Sequence, residues 1–80
     1  MAKTTASAEE IREEIRRRIR LKAARTGRCG ACGAPAPVLL AERRGDGVNW
    51  TMEHFPMLEP GCTVFMMRIL SEIMGDYDLD

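Results

Sequence analysis

The segment Cys29-Gly-Ala-Cys32-Gly33 constrains this chain more than any other, because it places two thiols on one tight turn. Two cysteines at this spacing form half of a tetrahedral zinc site, and the glycines allow backbone N–H groups to approach the sulfurs. A chain of 80 residues can bury only a small core, and such chains commonly need a metal, disulfides or a partner to fold. We therefore expect Cys29 and Cys32 to bind a metal that organises the domain.

The cysteine count favours metal binding over a disulfide framework. The chain has three cysteines, whereas the frameworks of small secreted domains use an even number. The beginning of the chain is charged and lacks the apolar stretch of a signal peptide, and no apolar run reaches the ~20 residues of a membrane helix. We expect a cytoplasmic protein with no membrane partner, in which thiols stay reduced.

The first helix is predicted by its cap and by its apolar spacing. Ser7 and Glu10 form a capping box, the usual start of a helix. Isoleucines at every fourth position from Ile11 to Ile19 then give one apolar stripe. This pattern predicts a disordered N-terminus over 1–7 and a charged amphipathic helix within 8–28.

In the rest of the chain, apolar segments alternate with glycine and proline residues, which interrupt helices and strands. Two apolar runs, 38–44 and 48–53, flank Gly45-Asp46-Gly47 and predict a β-hairpin. A second helix should begin near Cys62 or Thr63 and end near Gly75. We predict an α+β fold, a small zinc-stabilised domain: N-terminal helix, zinc knuckle, β-hairpin and C-terminal helix. The zinc-finger-like part would span 29–75, with an acidic tail at 76–80.

The order of these parts resembles a treble-clef or zinc-ribbon finger, in which a second ligand pair follows the hairpin. Cys62 lies directly after Pro60-Gly61, at the start of the predicted helix, and His54 is the only histidine. The predicted Zn²⁺ ligands are therefore Cys29, Cys32, His54 and Cys62. Glu53, Glu59 or a cysteine of a second chain are the alternatives for the fourth position.

The chain also resembles the DksA/TraR family. The resemblance rests on a charged helix, the Cys29–Pro37 segment, Ala41-Glu42-Arg43-Arg44, and Pro60-Gly61-Cys62 before a helix. It implies a zinc finger beside helices that enter the secondary channel of bacterial RNA polymerase, with the acidic tip role falling to Glu9, Glu10, Glu13 or Glu14. The family's second Cys-x-x-Cys pair is incomplete here, since the third residue after Cys62 is Phe65.

Charge is divided unevenly along a chain whose formal net charge is zero. Residues 1–44 carry eleven Lys and Arg against five Glu, a net +6, and residues 45–80 carry a net −6. Such a division selects partners or pairs within the chain. The basic helix predicts contacts with nucleic acid or a protein partner through Arg12, Arg16, Arg17, Arg20 and Lys22. A solvated helix with internal salt bridges is the alternative, because glutamates interleave with these arginines.

The C-terminal helix is apolar on nearly all sides, which a small core cannot bury completely. This composition predicts a protein partner or self-association through Phe65, Ile69 and Ile73.

Together these features predict a zinc-binding regulatory module, not an enzyme, that docks on the transcription machinery or nucleic acid. An accessory structural subunit of a larger complex, docking through its Met-rich C-terminal helix, is the alternative. A thiol oxidoreductase using Cys29 and Cys32 is a weaker one, because Gly33 and the following prolines forbid the helix that a thioredoxin-type dithiol requires.

Overall fold

The structure is a computed structural model that describes residues 3–45, 47–52 and 57–80. Its two helices and two small sheets confirm the predicted α+β class. In chain order the elements are β1 (Thr4–Ala6), α1 (Ala8–Thr26), β2 (Pro37–Leu39), β3 (Trp50–Met52), α2 (Thr63–Asp76) and β4 (Tyr77–Leu79).

Helix α1 begins where its capping residues predict. The Glu10 backbone N–H donates to the Ser7 side chain, and the Ser7 backbone N–H donates to the Glu10 carboxylate. This second bond lowers the pKa of Glu10 from its ordinary value, because a hydrogen bond to the charged form stabilises it. The helix ends at Gly27, whose φ of 76° is the left-handed conformation that glycine adopts most easily.

The chain ends form a sheet that the sequence analysis did not anticipate. β1 and β4 pair in parallel, with Thr4 opposite Tyr77 and Ala6 opposite Leu79. Residues 4–6 are therefore ordered in a strand rather than part of a disordered N-terminus. The segment 76–80 is acidic as expected, but its residues 77–79 form the partner strand instead of a tail.

The predicted hairpin is present but shorter than its apolar runs. β2 and β3 pair in antiparallel, with Pro37 opposite Met52 and Leu39 opposite Trp50. Asn49 then joins the hairpin to β4, because its side-chain amide donates to the Leu79 carbonyl and accepts from the Leu79 N–H, each at 2.9 Å. The side chain thus supplies both bonds that a third strand would give, which holds the C-terminal strand in place.

The core lies where the two helices and the hairpin meet. Helix α1 contributes a single stripe of buried residues, Ile11, Ile15, Ile19 and Ala23. Helix α2 contributes Met66, Ile69, Leu70 and Ile73. Trp50 is completely buried between the elements, and its indole N–H donates to the Tyr77 carbonyl at 3.1 Å. The indole ring therefore packs in the core and also holds β4 through a hydrogen bond.

The basic and acidic parts of the chain pair with each other. Arg18 contacts Asp76 at 3.0 Å and Glu72 at 3.7 Å, which ties α1 to the end of α2. Asp78 on β4 contacts Arg43 at 2.9 Å and Lys3 at 3.9 Å. Part of the charge division in the sequence is thus neutralised inside the fold.

Candidate metal centre

Two tight turns bring chemically similar residues to one place. The Cys32 N–H donates to the Cys29 carbonyl at 3.2 Å, which closes the first turn. The Cys62 N–H donates to the Glu59 carbonyl at 3.1 Å, which closes the second. Each turn therefore carries a candidate ligand at its first and fourth positions, and the second turn ends at the start of α2.

The sequence of the second turn explains its shape. Pro60 and Gly61 occupy the two central positions, and Gly61 has a φ of 81°. A type II turn requires positive φ at its third residue and favours proline at its second. The first turn has its own constraint, because Cys29 has a φ of 72°, unique among the non-glycine residues of the described chain. Such backbone is strained and persists where surrounding contacts enforce it.

The two turns are bonded to each other. The Glu59 N–H donates to the Cys32 sulfur at 3.5 Å, and the Gly33 N–H donates to the Met57 carbonyl at 2.8 Å. The turns thus form one unit, in which Cys32 is a buried thiol outside any disulfide.

Three ligand atoms converge between the turns. The sulfurs of Cys29 and Cys62 and a carboxylate oxygen of Glu59 all lie within 4.8 Å of one another. Cysteine sulfur and carboxylate oxygen are both established types of zinc ligand. The residues therefore fit the metal that the sequence predicts.

The same two sulfurs are joined in a disulfide in this structure. Cys29 and Cys62 are bonded, with their Cα atoms 6.0 Å apart. The Glu59 carboxylate lies 3.9 Å from the Cys62 sulfur. A disulfide sulfur has neither a proton to donate nor the charge of a thiolate, so the bridge and a metal on Cys29 and Cys62 exclude each other. The bridge connects the two turns, and a metal on the reduced sulfurs would connect the same turns.

The disulfide also bears on the dithiol alternative. That alternative pairs Cys29 with Cys32, whereas the structure pairs Cys29 with Cys62 across a sequence separation of 33 residues. Closing a loop of this length stabilises a fold by about 3–4 kcal/mol in the chain-entropy treatment. The geometry therefore favours a structural connection between the α1 side of the molecule and the start of α2.

The predicted metal ligands fall into two groups. Cys29 and Cys62 are brought together, and Cys32 is linked to the same turns through Glu59. His54 lies outside the described residues, so its predicted role stays a prediction. Glu59, weighed only as an alternative, is the carboxylate beside the sulfurs. Its signal in the sequence is the spacing Glu59-Pro-Gly-Cys62, which repeats the spacing of Cys29-Gly-Ala-Cys32.

The predicted binding residues of α1 have partners within the chain in several cases. Arg12 donates to the Ala34 carbonyl at 3.2 Å. Arg16 forms an ion pair with Glu13, and Arg17 donates to Glu14 at 3.1 Å. The bond from Arg17 lowers the pKa of Glu14.

The remaining predicted binding residues differ in exposure. Arg20 is exposed, with no ion pair among the described residues, and Lys22 lies 3.4 Å from Glu72. On α2, Ile69 and Ile73 are completely buried in the protein's own core, and Phe65 is half-buried.

Comparison with protein-family models, with curated proteins and with solved structures finds no match to this chain. Within the described residues, neither helix combines the length and the hydropathy that crossing a membrane requires.

The disulfide connectivity gives a direct test of the centre. In metal-free protein oxidised in air, we expect Cys29 to be bridged to Cys62 and Cys32 to remain the one free thiol. Trypsin cleaves after Arg28, Arg44 and Arg68, so mass spectrometry should detect a linkage between a peptide beginning at Cys29 and one containing Cys62.

Two serine variants form a matched pair for this test. Cys32→Ser should keep the linkage between the two peptides, whereas Cys29→Ser should abolish it. A bridge between Cys29 and Cys32 in the unmodified protein would contradict the geometry described here and favour the dithiol alternative.

Proposed function

We propose that the protein is a small zinc-stabilised binding module that docks on nucleic acid and so acts as a regulatory protein rather than as an enzyme. The observation that carries the proposal is the convergence of Cys29, Glu59 and Cys62 beside Cys32 on two bonded turns. A site of this kind organises a surface, and the chemistry of that surface decides the partner.

In the reduced protein, Cys29, Cys32, Glu59 and Cys62 would hold Zn²⁺. The metal would supply a rigid connection between the end of α1 and the start of α2. Structural zinc sites are closed, because protein side chains occupy all four positions. The proposed ligand set is of that closed type, which is why we assign the centre a structural role and place the function on the surface.

The surface of α1 changes character along its length. The arginines from Arg12 to Arg18 donate to backbone or carboxylate groups of the same chain. Farther along, Arg20, Arg25 and Arg28 are exposed and make no ion pair with described residues. Cations that are not neutralised by their own chain are available to phosphates, and phosphate contacts supply most of non-specific nucleic-acid binding.

A second candidate function is an accessory subunit that docks through α2. One observation favours it, because Val64 and Met67 are 65% and 52% exposed on that helix. The docking face would then be Val64 and Met67, since Ile69 and Ile73 are in the core. This candidate predicts association with protein and no affinity for nucleic acid.

The metal site can be tested by native mass spectrometry of the reduced protein. We expect one Zn²⁺ per chain. Replacing a direct ligand, in Cys32→Ser or Glu59→Ala, should weaken zinc binding by more than the ~10–100-fold typical of changes outside the ligand shell.

Two further variants sharpen this result. Glu42→Ala removes an exposed carboxylate and should leave zinc affinity unchanged, which controls for net charge. His54→Ala distinguishes the two candidates for the fourth position: retention of zinc would assign it to Glu59, whereas loss of zinc in His54→Ala but not in Glu59→Ala would assign it to His54. Unchanged zinc affinity in both Cys32→Ser and Glu59→Ala would refute the four-ligand centre.

Nucleic-acid binding is measurable by fluorescence anisotropy with labelled oligonucleotides, using the reduced and zinc-loaded protein. Because each neutralised phosphate releases counterions, the logarithm of the dissociation constant should rise with the logarithm of the salt concentration with a slope of at least about 2. An absence of binding to both single-stranded and duplex probes at low salt would refute this function and leave the subunit candidate.

A further inference from the structure

A basic cleft lies between α1 and the first turns of α2, directly beside the metal centre. Its volume is about 380 Å³, within the range of small-ligand sites. The cleft is lined by Lys22, Arg25, Thr26, Arg28, Cys29, Gly61, Val64, Phe65 and Arg68. Of these, the sequence predicts Lys22 and Phe65 as partner-binding residues and Cys29 as a metal ligand.

The charge of the cleft is of one sign. Four cations line it, and no carboxylate is among its lining residues. Arg25, Arg28 and Arg68 are exposed and form no ion pair or side-chain hydrogen bond with described residues, while Lys22 reaches Glu72 at 3.4 Å. Guanidinium groups that converge on one concavity repel each other unless an anion lies between them.

The cleft contrasts with the other arginine-rich surface of α1. There, Arg17 and Arg18 share Glu14, and Arg18 also contacts Asp76. Those cations already have a compensating charge within the chain. The cations of the cleft have no compensating charge within the described chain except the contact of Lys22 with Glu72. An anion from outside the chain therefore gains more binding free energy in the cleft than on the other surface.

One wall of the cleft is apolar. Val64 is 65% exposed and Phe65 is half-buried, and both lie in the first turn of α2, which contains no acidic residue. An aromatic ring and a branched side chain offer a surface on which a flat base can stack, and stacking of this kind tolerates any base. The ligand should therefore combine phosphate groups with a flat apolar part.

We propose that this cleft binds single-stranded nucleic acid, with phosphates on Arg25, Arg28 and Arg68 and one unstacked base against Val64 and Phe65. The inference rests on the proposed nucleic-acid function and specifies the strand state and the site. A duplex keeps its bases stacked and paired, so it cannot present a base to the apolar wall. The proposed metal centre would fix the shape of the cleft, because Cys29 and Gly61, which lie on its two turns, form part of the cleft lining.

The test compares a single-stranded oligonucleotide, the corresponding duplex and a free mononucleotide as probes of the zinc-loaded, reduced protein. We expect the single strand to bind at least about tenfold more tightly than the duplex, since base stacking adds to phosphate contacts only for the single strand. Its salt slope should be about 2, as expected for three phosphate contacts on a single strand. The mononucleotide should compete weakly, because it offers one phosphate unit.

Two triple variants with equal loss of charge locate the site. Arg25→Gln, Arg28→Gln and Arg68→Gln together should lower single-strand affinity at least about tenfold and reduce the salt slope by about 2. The matched control replaces Arg12, Arg16 and Arg17 by glutamine and should have a smaller effect, because those arginines are already bonded within the chain. Circular dichroism and zinc content verify that both triple variants are folded.

The outcomes separate this inference from the proposed function. Equal affinity for single strand and duplex would contradict the proposal that the cleft binds single strands, and so would an equal or larger loss of affinity in the control variant. Neither result would contradict nucleic-acid binding by the protein. Tight binding of the mononucleotide without binding of either oligonucleotide would keep an anion site in the cleft but overturn both the single-strand assignment and the proposed function.

Discussion

The connection between the Cys29–Cys32 turn and the start of α2 is the constraint on which the rest of the structure depends. It closes a loop that contains the whole hairpin, and it fixes the end of α1 against the helix that fills the core. A disulfide of this loop length contributes about 3–4 kcal/mol, and a structural zinc contributes on the order of 10 kcal/mol of apparent binding energy. Either is large beside the net stability of a small domain; the disulfide holds the two turns together, and the proposed zinc would hold the same turns.

The same connection relates the fold to the proposed function. The cleft has one wall from α1 and one from α2, so its shape depends on the angle and spacing of two helices that share a narrow apolar contact. The centre lies at the end of that contact where the cleft opens, and Arg18 with its acidic partners lies at the other end. The exposed cations therefore have fixed backbone positions while their side chains are not neutralised, which suits the proposed phosphate-binding surface.

Sequence reasoning succeeded where the signal is local. The capping box placed the start of α1, the proline–glycine pair placed the start of α2, and the apolar runs placed the hairpin. It failed where partners are distant: the strands at residues 4–6 and 77–79 are too short for an alternating pattern, and Asn49 holds the second of them. Two of the partners that neutralise Arg18, Glu72 and Asp76, lie more than fifty positions away from it in the chain.

The most direct test of the account is the unfolding of reduced protein with and without zinc, followed by circular dichroism and hydrogen exchange. Reduction removes the bridge between Cys29 and Cys62, so the reduced, metal-free chain should lose protection in α2 and unfold at much lower denaturant, and one equivalent of Zn²⁺ should restore both. A reduced, metal-free chain that unfolds at the same midpoint as the zinc-loaded protein, with α2 equally protected, would contradict the account.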